Sequence, residues 1–242
     1  MQRYFASIRE GNVLLSDEDV FHISHVMRMN LNDPLEVVDQ GVVYACQISC
    51  LKPLTVKVVK ALDTNRELPS KVTLLYALAK GEKTDWVVQK ATELGVSSII
   101  GLISERTIVR PSPEDHEKKI ARYNKIIKEA AEQSLRNALP VFEGIVPFKS
   151  IHKYHFDRMA IAYEGEAMTS HTIESWMHGL AKGGSMGIII GAEGGFSLDE
   201  VKYANQAGYQ SVSLGKRILR SETAALYALS IIGSTLERGS HE

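Results

Sequence analysis

The chain has 242 residues, 44% hydrophobic and 24% charged, an ordinary globular composition long enough to bury a sizeable core in one or two domains. That excludes disorder, collagen-like repeats and coiled coil. The formal net charge of −1 argues against a protein that coats nucleic acid nonspecifically, which needs a large excess of Lys and Arg, so any nucleic-acid contact must be local.

Met1-Gln2-Arg3-Tyr4 opens no signal-peptide core, and no stretch approaches the run of about 18 apolar residues that a membrane helix needs, so a cytosolic protein is expected. Residues 3–60 alternate short apolar runs with turn residues: Tyr4-Phe5-Ala6, Leu35–Val38, Val42–Ile48 and Thr55–Val59, with Asp39-Gln40-Gly41 as a hairpin turn. One helix interrupts this β-rich unit, capped by Ser16 and predicted to bury Val20, Ile23, Val26 and Met27, leaving His22, His25 and Arg28 to the side. The two cysteines, Cys46 and Cys50, lie in one strand-like run and exclude a disulfide scaffold. With His22 and His25 they could supply a His2Cys2 metal set. A small cysteine inside a strand is more often simply packed, and no metal is expected.

The polar segment Asp63–Ser70, which contains Pro69, marks the domain boundary. Beyond it the period changes. Val72–Leu78 reads as a buried strand, Lys83–Leu94 as a helix ended by Gly95, and Ser98–Ile103 as a strand. Ser112-Pro113-Glu114-Asp115 opens a long helix to about Arg136. On it Lys118, Arg122 and Lys125 fall at i, i+4 and i+7, a basic face for RNA or, more simply, a solvated helix face. Strands are predicted at Val141–Val146, Arg158–Tyr163, Gly187–Ile190 and Val212–Leu214, with a capping box at Ser197-Leu198-Asp199-Glu200. Strands alternating with helices imply an α/β domain on a largely parallel sheet covered on both faces.

In such sheets ligands bind beyond the carboxyl ends of the strands. The loop after Ile190 reads Gly191-Ala192-Glu193-Gly194-Gly195-Phe196. Three glycines let backbone approach a ligand closely, yet the loop has neither the Gly-Lys-Ser/Thr ending nor the G-x-G-x-x-G spacing of phosphate binders. Glu193 would repel phosphate and suits a cation or a ribose diol. A plain strand-to-helix turn also accounts for the loop. The second loop, Leu214–Thr223, gathers Lys216, Arg217 and Arg220 just before a helix N-terminus, where the macrodipole disfavours positive charge. An anionic partner would offset that cost, while solvated loop charges are the plainer explanation.

These segments together resemble one family, the bacterial 16S ribosomal RNA uridine N3-methyltransferases of the SPOUT superfamily. The family pattern is Gly-Pro-Glu-Gly-Gly, Leu-Gly-x-Arg-Ile-Leu-Arg-x-Glu-Thr-Ala and, earlier, Gln-Lys-x-x-Glu-Leu-Gly-Val. This chain carries Gly191–Gly195, Leu214–Ala224 and Gln89–Val96. Lys80-Gly81, Glu105-Arg106, Glu129–Ser134 with Arg136, Arg3-Tyr4-Phe5, His22 and Val26-Met27-Arg28 follow the same pattern. The resemblance spans nearly the whole chain in order. Ala192 departs from it, standing where the family has proline, which leaves the loop less pre-organised.

The resemblance implies a PUA-like β-barrel over residues 1–68 that binds RNA, and a SPOUT methyltransferase domain over residues 71–238 with a trefoil knot, although chain-connection rules alone argue against a knot. It further implies a homodimer acting on the small ribosomal subunit, with S-adenosylmethionine as cofactor. The implied cofactor residues are Tyr163, Gly191, Glu193, Gly194, Gly195, Leu214, Gly215, Ile218, Leu219, Thr223 and Ala224. Arg220 and Glu222 are the implied catalytic pair, and Arg3, His22, Arg28 and Arg217 the RNA contacts. The apolar helix Ala224–Leu236 is compatible with a dimer interface and equally with core packing. Other readings stay open: a SPOUT enzyme with another target such as transfer RNA ribose, a nucleotide-dependent α/β enzyme without phosphate motifs, and a noncatalytic RNA-binding assembly factor. The last run, Arg238–Glu242, is set aside as a partial cloning remnant.

Overall fold

The computed structural model describes residues 1–163, 165, 171–180 and 183–238; residues 239–242 of the terminal run set aside lie outside the described residues. The chain divides into two compact units, Met1–Glu67 with Lys128–Leu139, and Leu68–Ile127 with Pro140–Glu242.

In the first unit six strands, β1 (Arg3–Phe5), β2 (Ser7–Arg9), β3 (Asn12–Leu14), β4 (Pro34–Asp39), β5 (Val42–Leu51) and β6 (Leu54–Leu62), form one sheet in the order β1-β4-β5-β6-β3-β2. Alternation decides which face is buried: Leu35, Val37, Val43, Ile48 and Val56 turn inward with Tyr4 and Ile23. Gln40 and Gly41, at φ 48° and 83°, make the tight turn between β4 and β5. β2 and β3 were not legible as strands, being only three residues each.

Helix α1 (Asp17–Phe21) begins at the predicted cap, with Ser16 Oγ accepting from the Asp19 amide. It then widens into a π-helical turn over His22–Val26. The wider turn breaks the expected stripe: Ile23 is fully buried, whereas Val26 is 57% and Met27 38% exposed. Cys46 packs in this core and Cys50 lies nearer the surface, both as free thiols. From Cys46 to Leu51 the burial alternates, with Cys46, Ile48 and Cys50 less exposed than Gln47, Ser49 and Leu51, so the two cysteines share one face of the strand. Among the described residues no group of three His, Cys, Asp or Glu is placed to hold a metal ion.

The second unit is built on a wholly parallel sheet of β7 (Lys71–Ala77), β8 (Ser98–Ile103), β9 (Val141–Pro147), β10 (Arg158–Ala162), β11 (Ser185–Ile190) and β12 (Gln210–Val212), in the order β12-β10-β11-β7-β8-β9. β11 is thus inserted between two strands that precede it in the chain. One face carries α2 (Lys83–Glu93), α4 (Ile173–Met177) and α6 (Ser221–Arg238), packed on Leu74, Tyr76, Ile188 and Ile190. The other carries α5 (Leu198–Gln206), over Leu75, Ile161 and Ile189. This explains why β7 and β11 read as continuous apolar runs, since both faces are covered. Ser112 Oγ accepts from the Asp115 amide to start α3 (Pro113–Gln133), and Ser197 with Glu200 makes the capping box of α5. β12 ends at Val212, two residues earlier than predicted, with Ser213 bridging Thr172 alone. On α6, Ala224, Ala225, Ala228, Leu229 and Ile232 are spent on the core of this same unit. Among the described residues no helix is long and apolar enough to cross a membrane.

Candidate active site

Because the sheet is parallel, β7, β10, β11 and β12 all end at one edge, and the loops that follow them meet there. They enclose a cavity of about 430 Å³. Its walls are the glycine loop Gly191–Phe196, the second loop from Leu214 to Ser221, the end of β10 at Ala162 and Tyr163, and Lys83 at the start of α2.

Two sorts of constraint shape the glycine loop. Gly195 has φ 64°, a left-handed conformation that favours glycine. At Gly191 a Cβ would meet the Phe196 ring at 3.1 Å and the Gly195 Cα at 3.3 Å, so a side chain there would require the ring or the loop backbone to give way slightly. Arg106 donates from Nη1 to the Gly194 carbonyl at 2.9 Å. Glu200 accepts from the Glu105 amide at 2.7 Å and the Ser197 amide at 3.0 Å, tying the segment after β8 to the start of α5. In the second loop Gly215 has φ 104°, with open space where a Cβ would stand. Ser213 Oγ lies 3.1 Å from the Gly215 amide and accepts its proton.

The two loops are joined from beneath. Ser221 Oγ lies 2.5 Å from the Gly191 carbonyl and 2.9 Å from the Tyr76 hydroxyl; Ser221 and Tyr76 are buried and Gly191 is half-buried. A carbonyl only accepts, so the single Ser221 proton goes to Gly191 and the Tyr76 hydroxyl donates in turn to Ser221. Burial pushes the Tyr76 hydroxyl far above its ordinary pKa and keeps it protonated.

Charge in the cavity is mixed. Lys83 Nζ sits 2.9 Å from Glu193 Oε1 and 3.8 Å from Glu222 Oε2. The Glu193 hydrogen bond holds the Lys83 ammonium above its usual pKa. Partial burial pushes the Glu193 carboxyl up, but the hydrogen bond and charge of Lys83 together with backbone hydrogen bonds at Glu193 and Lys80 outweigh it, and the net shift is downward. Glu222 Oε2 is buried and, among the described residues, has no hydrogen-bond partner.

Of the residues marked for the cofactor, Tyr163, Gly191, Glu193, Gly194 and Gly195 line the cavity, as do Leu214, Gly215, Ile218, Leu219 and Ala224. Thr223 does not: it is the third residue of α6 and faces solvent. Arg220 and Arg217 line the cavity; Glu222 is not among its lining residues and lies behind Lys83, its Oε2 3.8 Å from that ammonium. Lys83, Tyr76 and Ser221 carried no such expectation. Lys83 looked like an ordinary helix-face lysine, and the only hint was Lys80-Gly81 just before it.

The residues marked for RNA on the first unit divide. Arg3 is buried: its Nε and Nη2 donate to Glu36 Oε2 at 2.9 and 2.6 Å, and its Nη1 to the carbonyls of Leu135 and Arg136 at 2.5 and 3.0 Å. Its donors are spent within the unit, which makes Arg3 a structural residue and corrects its expected place among the RNA contacts. His22 is half-buried, with Nδ1 3.0 Å from the Tyr4 hydroxyl. Arg28 is exposed, at φ 50°. On α3, Arg122 pairs with Asp85, which reduces the charge that face can offer.

Comparison with known proteins places this geometry. Residues 66–233 match the model of an RNA methyltransferase domain. The chain is 37% identical to ribosomal RNA small subunit methyltransferase E of Bacillus subtilis, over 98% of both chains. It is 32% identical to the protein of the same name from Synechocystis, over 95% of this chain and 75% of that one. Among solved structures, ribosomal RNA small subunit methyltransferase E from Neisseria gonorrhoeae, bound to S-adenosylmethionine, superposes with a TM-score of 0.87 at 29% identity, covering 97% of this chain and 98% of that one.

Proposed function

Since the chain belongs to the RNA methyltransferase family, we propose that it methylates small-subunit ribosomal RNA with S-adenosylmethionine at the cavity just described, and that the acceptor is N3 of a uridine. The observation that carries this reading is the pairing of a glycine loop and a second loop around one cavity at the carboxyl ends of β10, β11 and β12. The residues fit the cofactor: four glycines in the walls and apolar neighbours such as Ile190, Leu214 and Leu219 let a planar purine approach, and Glu193 offers a carboxylate to a ribose diol or an ammonium. When bound, the cofactor supplies an electrophilic methyl group on a sulfonium.

The chain's own residues have the remaining tasks. Tyr163, Gly191, Gly194 and Gly195 with Leu214, Gly215, Ile218, Leu219 and Ala224 surround the adenosine, while Thr223, on the solvent side of α6, has no part in this. N3 of uridine is a weakly acidic imide nitrogen that must lose its proton before or during attack, so a cation beside the base lowers the cost of that anion. Arg220, exposed at the cavity wall, is assigned that role, and Glu222 orients the cofactor or receives the proton. Arg217, Arg28 and His22 are assigned to RNA. Residues 1–68 are read as a PUA-like RNA-binding domain and 71–238 as a SPOUT domain with its trefoil knot. The insertion of β11 between β7 and β10 supports the latter. The working form is taken to be a homodimer acting on cytoplasmic small subunits.

The test is incubation of the protein with labelled S-adenosylmethionine and either small ribosomal subunits or naked RNA, followed by mass mapping of the modified nucleoside. Product at N3 of a uridine, on subunits, is expected. A methylated ribose would move the reading to another SPOUT chemistry, and absent cofactor binding would leave a noncatalytic assembly factor.

A further inference from the structure

We propose that Arg106 is a positioning residue for the cofactor, holding one peptide of the glycine loop in the orientation the cavity wall needs. This rests on the reading of that cavity as the S-adenosylmethionine site. Arg106 is exposed and does not line the cavity, so it acts there through the wall.

The peptide joins Gly194 to Gly195, both of which line the cavity. Its two ends are held separately. The Gly194 carbonyl accepts from Arg106 Nη1 at 2.9 Å, and the Gly195 amide donates to the Ala192 carbonyl at 2.9 Å. Two glycines in succession, the second at φ 64°, leave this stretch freer to rotate than side-chain-bearing residues would. A tie from outside the loop therefore removes more conformations here than it would elsewhere. The approach is close along the arginine stem: a Cβ on Gly194 would stand 3.0 Å from Arg106 Cβ and 3.5 Å from its Cδ. Glycine at 194 thus makes room for Arg106 as well as for a ligand.

Such a tie orders the loop only if its other end is fixed, and the segment after β8 meets that condition. The Ser104 amide donates to Thr107 Oγ1 at 3.0 Å, and the Thr107 amide to the Ser104 carbonyl at 3.2 Å; both residues are buried. Arg110 donates to the Ser104, Glu105 and Thr107 carbonyls at 3.0–3.2 Å. Glu200 accepts from the Glu105 amide with one carboxylate oxygen and from the Ser197 amide, just past the glycine loop, with the other. Arg106 projects from this braced turn, and its guanidinium makes no other hydrogen bond among the described residues.

An exposed side chain tied to one carbonyl adds little to the stability of the whole fold. Its effect falls on the loop: a wall already ordered before the cofactor arrives spares the cofactor part of the ordering cost. One charge-assisted hydrogen bond facing solvent should change that equilibrium by about fivefold.

Arg106→Met keeps the stem beside Gly194 and removes the donor, whereas Arg106→Lys keeps a charged donor. Three measurements read the effect: calorimetric titration of S-adenosylmethionine, hydrogen exchange of the Gly195 amide in the cofactor-free protein, and steady-state kinetics on small subunits lacking the methyl group. In Arg106→Met the affinity should fall about fivefold and the Gly195 amide should exchange about fivefold faster. KM for the cofactor should rise in step, while kcat at saturation stays within about twofold and KM for subunits does not move. Arg106→Lys should return the affinity to within about twofold of wild type. Unchanged affinity and exchange in Arg106→Met overturn the proposal. A raised KM for subunits with cofactor affinity intact overturns it too, making Arg106 an RNA contact. Wild-type protein that binds no S-adenosylmethionine would instead overturn the reading of the cavity itself.

Discussion

Ser221 and Gly191, 30 residues apart in sequence, are joined by a hydrogen bond of 2.5 Å between hydroxyl and carbonyl oxygens. It fixes the first turn of α6 against the glycine loop, and the Tyr76 hydroxyl, 2.9 Å away, braces it from β7. Three stretches of chain that each line or support the cavity are therefore set by one buried hydroxyl.

Replacing Ser221 with Ala leaves the buried Tyr76 hydroxyl and the half-buried Gly191 carbonyl short of a partner, a cost of about 1–3 kcal/mol. Part of that loss falls on loop placement, so S-adenosylmethionine affinity should drop roughly tenfold, equivalent to about 1.4 kcal/mol. Tyr76→Phe keeps the Ser221–Gly191 bond and should lose less. Calorimetric titration of the cofactor against both variants checks the order. Equal affinity in Ser221→Ala and wild type would show that the bond does not set the loop.

Much of the frame was legible because it depends on neighbours in sequence. Val72–Leu78 and Gly187–Ile190 are apolar throughout since both sheet faces are covered, and Ser16, Ser112 and Ser197 act on amides three residues ahead. The two loops were legible from glycine and charge content. What escaped depends on pairings across long separations. Nothing near Lys83 announces that it will meet Glu193, 110 residues on, and nothing near Arg3 announces two carbonyls more than 130 residues away. The π-helical turn at His22–Val26 also escaped, because a 3.6-residue period cannot anticipate one widened turn.

Arg220 is exposed at the cavity wall, so its removal should not disturb the core. Arg220→Ala should keep cofactor affinity within a few-fold and lower the single-turnover rate by about 10²–10³, the range for loss of a group stabilising developing negative charge. Arg220→Lys should recover part of the loss by charge alone. Full activity of Arg220→Ala would remove this residue from the chemistry.

Burial raises the Glu132 carboxyl pKa to about 7, with Asp19 and Glu129 adding to the rise and Lys128 and the Phe5 amide opposing it. The folded pKa lies above the ordinary value of 4.5, so the native state holds the extra proton between those limits. That contribution to stability is complete below about pH 4.5 and is lost as pH rises through about 7. Glu132→Gln should flatten this part of the profile and raise Tm at pH 8 by about 2–4 °C, since each kcal/mol shifts Tm by that much in a protein of this size. Lys128 retains Asp19 at 2.6 Å in the variant, so no cation is stranded. Thermal melts of both proteins from pH 5 to 8 decide it, and parallel curves would place the titration elsewhere.

Arg3 and Arg28 separate structure from recognition on the first unit. Arg3→Ala strands the Glu36 carboxylate and removes the donors to the Leu135 and Arg136 carbonyls, and breaking a buried pair of this sort costs about 3–5 kcal/mol. Tm should fall by roughly 10 °C or more, with loss of activity following the loss of folded protein. Arg28 is exposed, so Arg28→Ala should leave Tm within about 1 °C and weaken binding to small subunits instead. One fewer phosphate contact should also lower the dependence of log affinity on log salt by about 1. Melting curves beside binding isotherms at two salt concentrations measure both effects. A normal Tm in Arg3→Ala together with weakened subunit binding would return Arg3 to the RNA surface.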